Sequence, residues 1–118
     1  MNKKRESQTE CTTGNSRKSV ISNRRRESSI EAKFIKACRR YGGMAVKVGH
    51  SGKPDQAVLW DNGVTTWAEL KAAGESPEPH QEVEIQRMRD KGHLVHVVHD
   101  EREMAMFIAE SLKRVARV

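Results

Sequence analysis

The sequence predicts an α/β domain in which a mixed β-sheet is flanked by helices, in the order α-β-β-β-α-β-α. Apolar residues recur at helical spacing in three segments and alternate at strand spacing in four others. An Asn-Gly pair between the second and third predicted strands is typical of an antiparallel hairpin. A helical segment separates the third strand from the fourth, so those two strands can pair in parallel and make the sheet mixed.

Length and composition favour one soluble domain. The chain has 118 residues, which is enough for a single modest core. No apolar run approaches the roughly 18 residues that span a bilayer, and no apolar segment follows the basic N-terminus as in a secretory signal. Cys11 and Cys38 are the only cysteines and predict no disulfide framework. We therefore expect a cytoplasmic protein.

The charge excess lies in the N-terminal segment, residues 1–26. This segment carries eight Lys and Arg against two Glu, which equals the net charge of +6 of the whole chain. It has almost no large apolar residues, so we expect it to be disordered and the folded domain to cover residues 27–118. A basic arm that binds nucleic-acid phosphates and a merely solvated tail both fit this composition.

The first helix is predicted to begin near Ser28 and to end at Gly42. Ser28-x-x-Glu31 has the spacing of a capping box, and glycine often ends a helix in the left-handed conformation. The apolar face of this helix is predicted to contain Ile30, Phe34, Cys38 and Tyr41.

Four strands are predicted, at residues 44–48, 56–60, 64–72 and 93–99. On the third strand, alternation places Glu69 and Lys71 on one face and Leu70 on the other. The second and last helices are predicted from Gln81 to Lys91, after a proline-containing loop, and from a capping box at Asp100-x-x-Glu103 onward. The apolar face of the last helix is predicted to contain Met104, Phe107, Ile108 and Leu112.

Asp55, Glu69 and Lys71 are the candidate chemical centre. A phosphodiester is anionic, so its hydrolysis requires a cation that neutralises charge and acidifies the attacking water. Mg²⁺ prefers oxygen ligands and keeps several waters, so two carboxylates and a backbone carbonyl, such as that of Leu70, suffice to hold it. The competing interpretation is a simple ion pair on a solvated sheet face, for which an acid-x-Lys tripeptide alone is common.

Two further polar residues border this centre. Glu31 lies beside the apolar face of the first helix, where it either serves the capping box or contributes to the site. Gln81 lies on the inward face of the second helix with Ile85, where it either satisfies local backbone groups or supports the site. His50 and His80 are predicted in exposed loops, within reach of a phosphate.

Other site chemistries are excluded by spacing. His93, His96 and His99 are each three residues apart on a predicted strand, so His96 points away from its neighbours and cannot share one zinc ion with them. The sequence contains no His-Glu-x-x-His, Cys-x-x-Cys, phosphate-binding loop or Gly-x-Ser-x-Gly. Aromatic residues are too few for a platform that stacks single-stranded bases.

Four motifs in this order resemble the VRR-NUC nucleases, a branch of the PD-(D/E)xK superfamily with a restriction-endonuclease-like core. The resemblance runs from about Glu27 to Leu112. Its motifs are an acid eleven residues before the glycine that ends the first helix, Gly-x-Pro-Asp, Glu-Leu-Lys, and a glutamine eleven residues before the glycine that ends the second helix. They correspond to Glu31, Gly52-x-Pro54-Asp55, Glu69-Leu70-Lys71 and Gln81.

The resemblance implies a role for each matched residue. Asp55, Glu69 and the Leu70 carbonyl would bind Mg²⁺, with Mn²⁺ able to substitute, and Glu31 would bind the metal directly or through water. Lys71 would activate the nucleophile or stabilise the transition state, and Gln81 would support the site. No organic cofactor is implied. Lys53 and Gln56 depart from the family pattern, in which a small apolar residue and an apolar or basic residue are commoner.

The resemblance also implies a biological setting. Small stand-alone members are similar to phage proteins that form homodimers and cut branched DNA, four-way (Holliday) junctions in particular, in replication, recombination and repair. We therefore expect a phage- or bacterium-encoded endonuclease that acts in the cytoplasm of the host cell, with DNA as partner and no membrane. The alternatives are a nonspecific or flap-directed DNA nuclease, a DNA-binding module with little activity, and a structural module with a solvated charged face.

Overall fold

The computed structural model describes residues 29–118 of the chain. The basic segment 1–26, the predicted domain boundary at residue 27 and the predicted capping residue Ser28 lie outside the described residues. Within the described part, no helix is long and apolar enough to cross a bilayer.

The element order α-β-β-β-α-β-α is confirmed. The elements are α1 (29–40), β1 (Met44–Lys47), β2 (Gln56–Leu59), β3 (Thr65–Leu70), α2 (Pro79–Asp90), β4 (Val95–Val98) and α3 (Glu101–Ala116). The four strands form one sheet in the order β1-β2-β3-β4. The first three strands are antiparallel neighbours and β4 pairs with β3 in parallel, so the sheet is mixed as predicted.

The Asn-Gly turn forms the predicted hairpin between β2 and β3. Asn62 and Gly63 both have positive φ, 64° and 74°, a conformation that Asn and Gly adopt at low cost. The amide of Trp60 donates to the carbonyl of Val64 and closes the turn at 2.8 Å. The turn therefore sets the register that brings the start of β2 beside the end of β3.

The main core lies between one face of the sheet and helices α1 and α3. Alternating residues of β2 and β3, such as Val58 and Leu70, pack there with Phe34 and Phe107, whose ring centroids are 5.4 Å apart. The predicted apolar face of α3 is confirmed: Met104, Phe107 and Ile108 are buried in the core, and Leu112 is partly buried against it.

Tyr41 is an exception among the predicted core residues of the first helix. Helix α1 ends at residue 40, and Tyr41 lies in the following turn with 53% of its surface exposed. Gly43 packs against the ring of Trp60 instead, and a Cβ at this position would lie 2.8 Å from that ring. The glycines therefore turn the chain toward β1 before Tyr41 can reach the core.

Helix α2 begins two residues earlier than predicted. Pro79 occupies its first turn, where the missing amide hydrogen costs nothing, so Pro79 and His80 belong to the helix and not to the preceding loop. The start of α3 is confirmed in part. The side chain of Asp100 accepts from the amide of Glu103 at 2.9 Å, but the Glu103 carboxylate accepts from the amide of His99 and not from that of Asp100.

The second face of the sheet is covered by α2. The helix runs along β3 and β4, because Gln81 at its start contacts Glu69 and Arg89 near its end donates to the carbonyl of Val95. This arrangement places the N-terminal turn of α2 over the end of β3 that carries Glu69.

Candidate active site

Two hydrogen bonds tie Asp55 to Glu69 and Leu70 at one end of the sheet. The amide of Asp55 donates to Oε1 of Glu69 at 3.2 Å, and the amide of Leu70 donates to Oδ2 of Asp55 at 3.0 Å. The register of the hairpin explains this arrangement. Because Gln56 pairs with Ala68, Asp55 just before Gln56 lies beside Glu69 just after Ala68. The two carboxylates that the sequence analysis singled out are therefore brought together.

Burial raises the pKa of both carboxyl groups. Glu69 is 1% exposed, and the cost of desolvating its charge, followed by the nearby charge of Asp55, raises its pKa despite the neighbouring Lys71. Burial likewise raises the pKa of Asp55, and its bond to the Leu70 amide and the charge of Lys71 only partly oppose the shift. Two acids that resist ionisation side by side are suited to a cation that would offset their charge.

Lys71 lies on the same side of β3 as Glu69, as the alternation predicted. Its Nζ is 3.5 Å from Oε2 of Glu69, and only 16% of its side chain is exposed. The alternative of a simple ion pair on a solvated face does not describe this pair, because the Glu69 side chain is almost fully removed from water.

Gln81 contacts both a local backbone group and a candidate site residue. Its Nε2 donates to Oε2 of Glu69 at 3.0 Å, and its Oε1 accepts from the amide of Glu78 at 2.8 Å. The second bond fixes the side chain at the start of α2, and the first then holds the Glu69 carboxylate. Gln81 thus belongs to the same cluster as Asp55, Glu69 and Lys71.

Glu31 stands at the edge of this cluster. Its Oε2 accepts a 2.8 Å hydrogen bond from Nε2 of Gln56 and lies 3.5 Å from Nζ of Lys47. In the described part of the chain it makes no hydrogen bond to Asp55, but its charge contributes to the raised pKa of Asp55. Gln56, one of the two departures from the family pattern, is therefore the closest partner of the Glu31 carboxylate.

The residues present fit a hard divalent cation in part. Asp55 and Glu69 supply carboxylate oxygens, the ligands that Mg²⁺ prefers, and within residues 29–118 Oδ1 of Asp55 carries no hydrogen bond. Leu70, whose carbonyl is a third candidate ligand, is adjacent because its amide binds Asp55. Among the described residues no three His, Cys, Asp or Glu side chains form a complete metal cage, so waters would have to complete the coordination.

Lys53 and two of the histidines are paired with carboxylates outside the cluster. His96 contacts Glu110 at 3.1 Å and His99 contacts Glu103 at 2.9 Å, so the two point to different carboxylates of α3. His50 and His80 are exposed. Lys53 forms an ion pair with Glu84 of α2, which joins the Gly-x-Pro-Asp loop to that helix.

A mixed sheet with acid, acid-x-Lys and glutamine side chains at one end defines the class of restriction-endonuclease-like nucleases. Among solved structures, a chain described as a VRR_NUC domain matches with a TM-score of 0.65 and 30% identity over 71% of this chain and 95% of that chain. "Putative nuclease p44" of Acyrthosiphon pisum secondary endosymbiont phage 1 is 37% identical over 86 residues, which are 70% of this chain and 91% of that protein. No protein-family model matches the chain.

The chain belongs to the VRR-NUC family of nucleases, as the sequence resemblance predicted. Its restriction-endonuclease-like fold is confirmed as well. Membership of this family supports nuclease activity on DNA.

Proposed function

We propose that this protein is a Mg²⁺- or Mn²⁺-dependent DNA endonuclease that hydrolyses phosphodiester bonds in branched DNA, such as four-way junctions, during replication, recombination or repair. The observation that carries the proposal is the buried Glu69 with the partly buried Asp55 and Lys71 beside it, at one end of the sheet. Removing these charged groups even partly from water costs free energy, and a site that binds a cation and a phosphate explains why they are kept.

The proposed metal ligands are Asp55, Glu69 and the carbonyl of Leu70. When bound, the cation would neutralise charge on the phosphate and lower the pKa of water. The hydrogen bonds from the Asp55 and Leu70 amides hold the two carboxylates in place before any cation arrives. Little conformational reorganisation is therefore needed when metal and substrate bind.

Lys71 is proposed to act on the phosphate and the attacking water. Its ammonium group is held within the site by Glu69 and is mostly shielded from solvent, so its positive charge is weakly screened. A fixed cation at this point stabilises the negative charge that develops on the phosphate oxygens. Gln81 is proposed to hold the Glu69 carboxylate in place through its hydrogen bond to the oxygen that also faces Lys71. Glu31 is proposed to orient the attacking water or to add a metal ligand.

The preference for branched DNA and the homodimer rest on the family resemblance. A symmetric dimer would present two such sites to two strands, which suits paired incision of a junction. A panel of four-way, flapped and linear DNA with Mg²⁺ and with Mn²⁺ tests this preference. Faster cleavage of the junction is the expected result, and equal rates on all three would favour a nonspecific or flap-directed nuclease.

The basic segment 1–26 is proposed to act as an electrostatic arm for DNA. Each phosphate that it neutralises adds roughly 0.9 to the slope of log affinity against log salt. Deleting residues 1–26 should therefore weaken DNA binding and flatten its salt dependence. An unchanged slope would show that this segment does not contact DNA.

The experiment that tests the function most broadly compares wild type with Asp55→Asn on a labelled four-way junction. Cleavage should require the divalent cation and should be lost in the variant, while junction binding measured in Ca²⁺ or EDTA is retained. Binding without any cleavage by the wild type in either metal would favour the DNA-binding module instead.

A further inference from the structure

Gln56 is the buried partner that holds Glu31 beside the site. Only 1% of the surface of Gln56 is exposed to solvent, and its Nε2 donates to Oε2 of Glu31 at 2.8 Å. The cation near that oxygen, Lys47, has 74% of its side chain exposed and so restrains Glu31 weakly. The fixed contact of Glu31 within the described residues is therefore the one to Gln56.

The position of Gln56 in β2 links two site residues through the backbone. Side chains alternate along a strand, so Asp55 faces Glu69 while the next side chain, that of Gln56, faces helix α1 and Glu31. The rigid strand thus fixes the separation between Asp55 and Glu31. The charge of Glu31 is close enough to affect the pKa of Asp55.

The chemistry of an amide suits this task. A side-chain NH₂ group donates to a carboxylate without neutralising it, so Glu31 keeps its negative charge near the proposed metal site. A lysine or arginine at position 56 would cancel that charge, and an apolar residue would leave Glu31 free to rotate toward solvent.

Gln56 carries a cost that packing alone does not explain. Its Oε1 is buried and has no hydrogen-bond partner within the described residues. A buried acceptor without a partner lowers stability, and an apolar side chain of the same shape would avoid that loss. A residue kept at such a cost is expected to serve the site.

We propose that Gln56 is a positioning residue that fixes the carboxylate of Glu31 for phosphodiester hydrolysis. This inference rests on the proposed function of the same site. Gln56 is not expected to touch the metal or the substrate, and it acts only through Glu31.

The test uses Gln56→Met, which keeps the length and shape of the side chain but removes the amide. Cleavage of a labelled four-way junction at saturating Mg²⁺ should fall about tenfold or more in kcat, with KM changed less than about threefold, as expected when an interaction with the reacting groups is lost. The urea midpoint of unfolding should stay equal to that of wild type or rise. A fall in both kcat and stability would identify Gln56 as structural only.

A double-mutant cycle separates this inference from the proposed function. In a Glu31→Gln background, Gln56→Met should cause no further loss of kcat, since its effect passes through Glu31. Independent, multiplying losses would overturn the positioning role. A wild type that cleaves with Mg²⁺ alongside an unimpaired Gln56→Met variant would overturn the inference while leaving the proposed function intact.

A spectroscopic measurement checks the contact without cleavage. The ¹⁵N-edited NMR signals of the Gln56 side-chain amide in the metal-free protein should shift in Glu31→Gln and change little in Lys47→Met. Signals that are the same in wild type and Glu31→Gln would show that the two side chains do not pair in solution.

Discussion

The amide of Gln81 donates a 3.0 Å hydrogen bond to the same carboxylate oxygen of Glu69 that lies 3.5 Å from Nζ of Lys71. One oxygen is thus shared between a neutral donor and a cation. Because the Gln81 amide already occupies part of the hydrogen-bonding capacity of this Glu69 oxygen, the ammonium group of Lys71 keeps donors for other acceptors, such as a phosphate oxygen.

Gln81→Met should weaken both the site and the fold. A hydrogen bond to a charged group contributes about 1.5–3 kcal/mol, and its loss would leave a buried carboxylate with fewer donors. We expect a lower free energy of unfolding by urea and slower cleavage. Gln86→Met is the matched control, since its amide binds the exposed Asp90 at 2.9 Å on the same helix. Equal effects of the two substitutions would contradict the role of Gln81.

Asp55 and Glu69 should make the stability of the metal-free protein depend on pH. Their pKa values are raised by burial in the folded state, so the protonated forms stabilise the fold below the unfolded pKa values of about 4, and this contribution is lost as pH rises through the folded values. Urea unfolding measured between about pH 4 and about pH 8 should show this fall.

Divalent cation should reverse that loss. A ligand that binds only the folded state adds about 2.7 kcal/mol at a concentration of 100 Kd, so Mg²⁺ or Mn²⁺ should restore stability at neutral pH. Asp55→Asn should lose this gain, while its side-chain oxygen still accepts from the Leu70 amide. Thermal melts in which the cation stabilises wild type and Asp55→Asn equally would argue against a metal site here.

Glu84 should weaken DNA binding by the Gly-x-Pro-Asp loop, which carries Lys53. The hydrogen bond from Lys53 lowers the pKa of Glu84 and keeps it ionised, so Lys53 is paired and not free for phosphate. Glu84→Gln should tighten DNA binding and steepen the salt slope by up to roughly 0.9 per freed cation that reaches a phosphate. Glu82→Gln removes an equal charge from the exposed side of α2 and should change the slope less. Identical salt titrations for the two variants would refute this view.

His99 should join the segment after β3 to α3 in a pH-dependent way. Partial burial disfavours its charge, but hydrogen bonds to the Glu103 carboxylate and the Glu75 carbonyl outweigh this and raise its pKa. Both ring nitrogens face acceptors, at 2.9 Å and 2.6 Å, so the charged ring satisfies both.

The resulting stability is fully present below the unfolded His pKa of about 6.5 and is lost as pH rises through the folded value. His99→Asn should abolish this part of the pH dependence of unfolding. His96→Asn removes the nearby histidine in β4 and serves as control. A wild-type free energy of unfolding that is constant from about pH 6 to about pH 9 would contradict this role of His99.

Much of the architecture follows from local sequence signals. The Asn-Gly turn, the alternation in β3 and the helical periodicity of α3 each depend on neighbouring residues, so the sequence predicts them directly. Tyr41 was placed wrongly because periodicity does not show where a glycine pair ends a helix. The shift of α2 to Pro79 has the same origin, since a proline fits both a loop and a first helical turn.

The sequence predicts which residues lie at the candidate site better than it predicts which of them are in contact. Asp55, Glu69 and Lys71 were expected together because a hairpin joins them, and the structure brings them together. The partnership of Gln56 with Glu31 spans 25 positions and depends on how α1 packs on the sheet, which no local pattern encodes. The orphaned oxygen of Gln56 could be found only from burial.

The most direct test of the central claim is single-turnover cleavage of a ³²P-labelled four-way junction by wild type and Lys71→Met in Mg²⁺. We predict metal-dependent cleavage by the wild type and a loss of roughly 10²–10³-fold in the variant, the cost of removing one preorganised charge from such a site. Junction binding in Ca²⁺ should be retained. Cleavage at the wild-type rate by purified Lys71→Met protein would contradict the proposed active site.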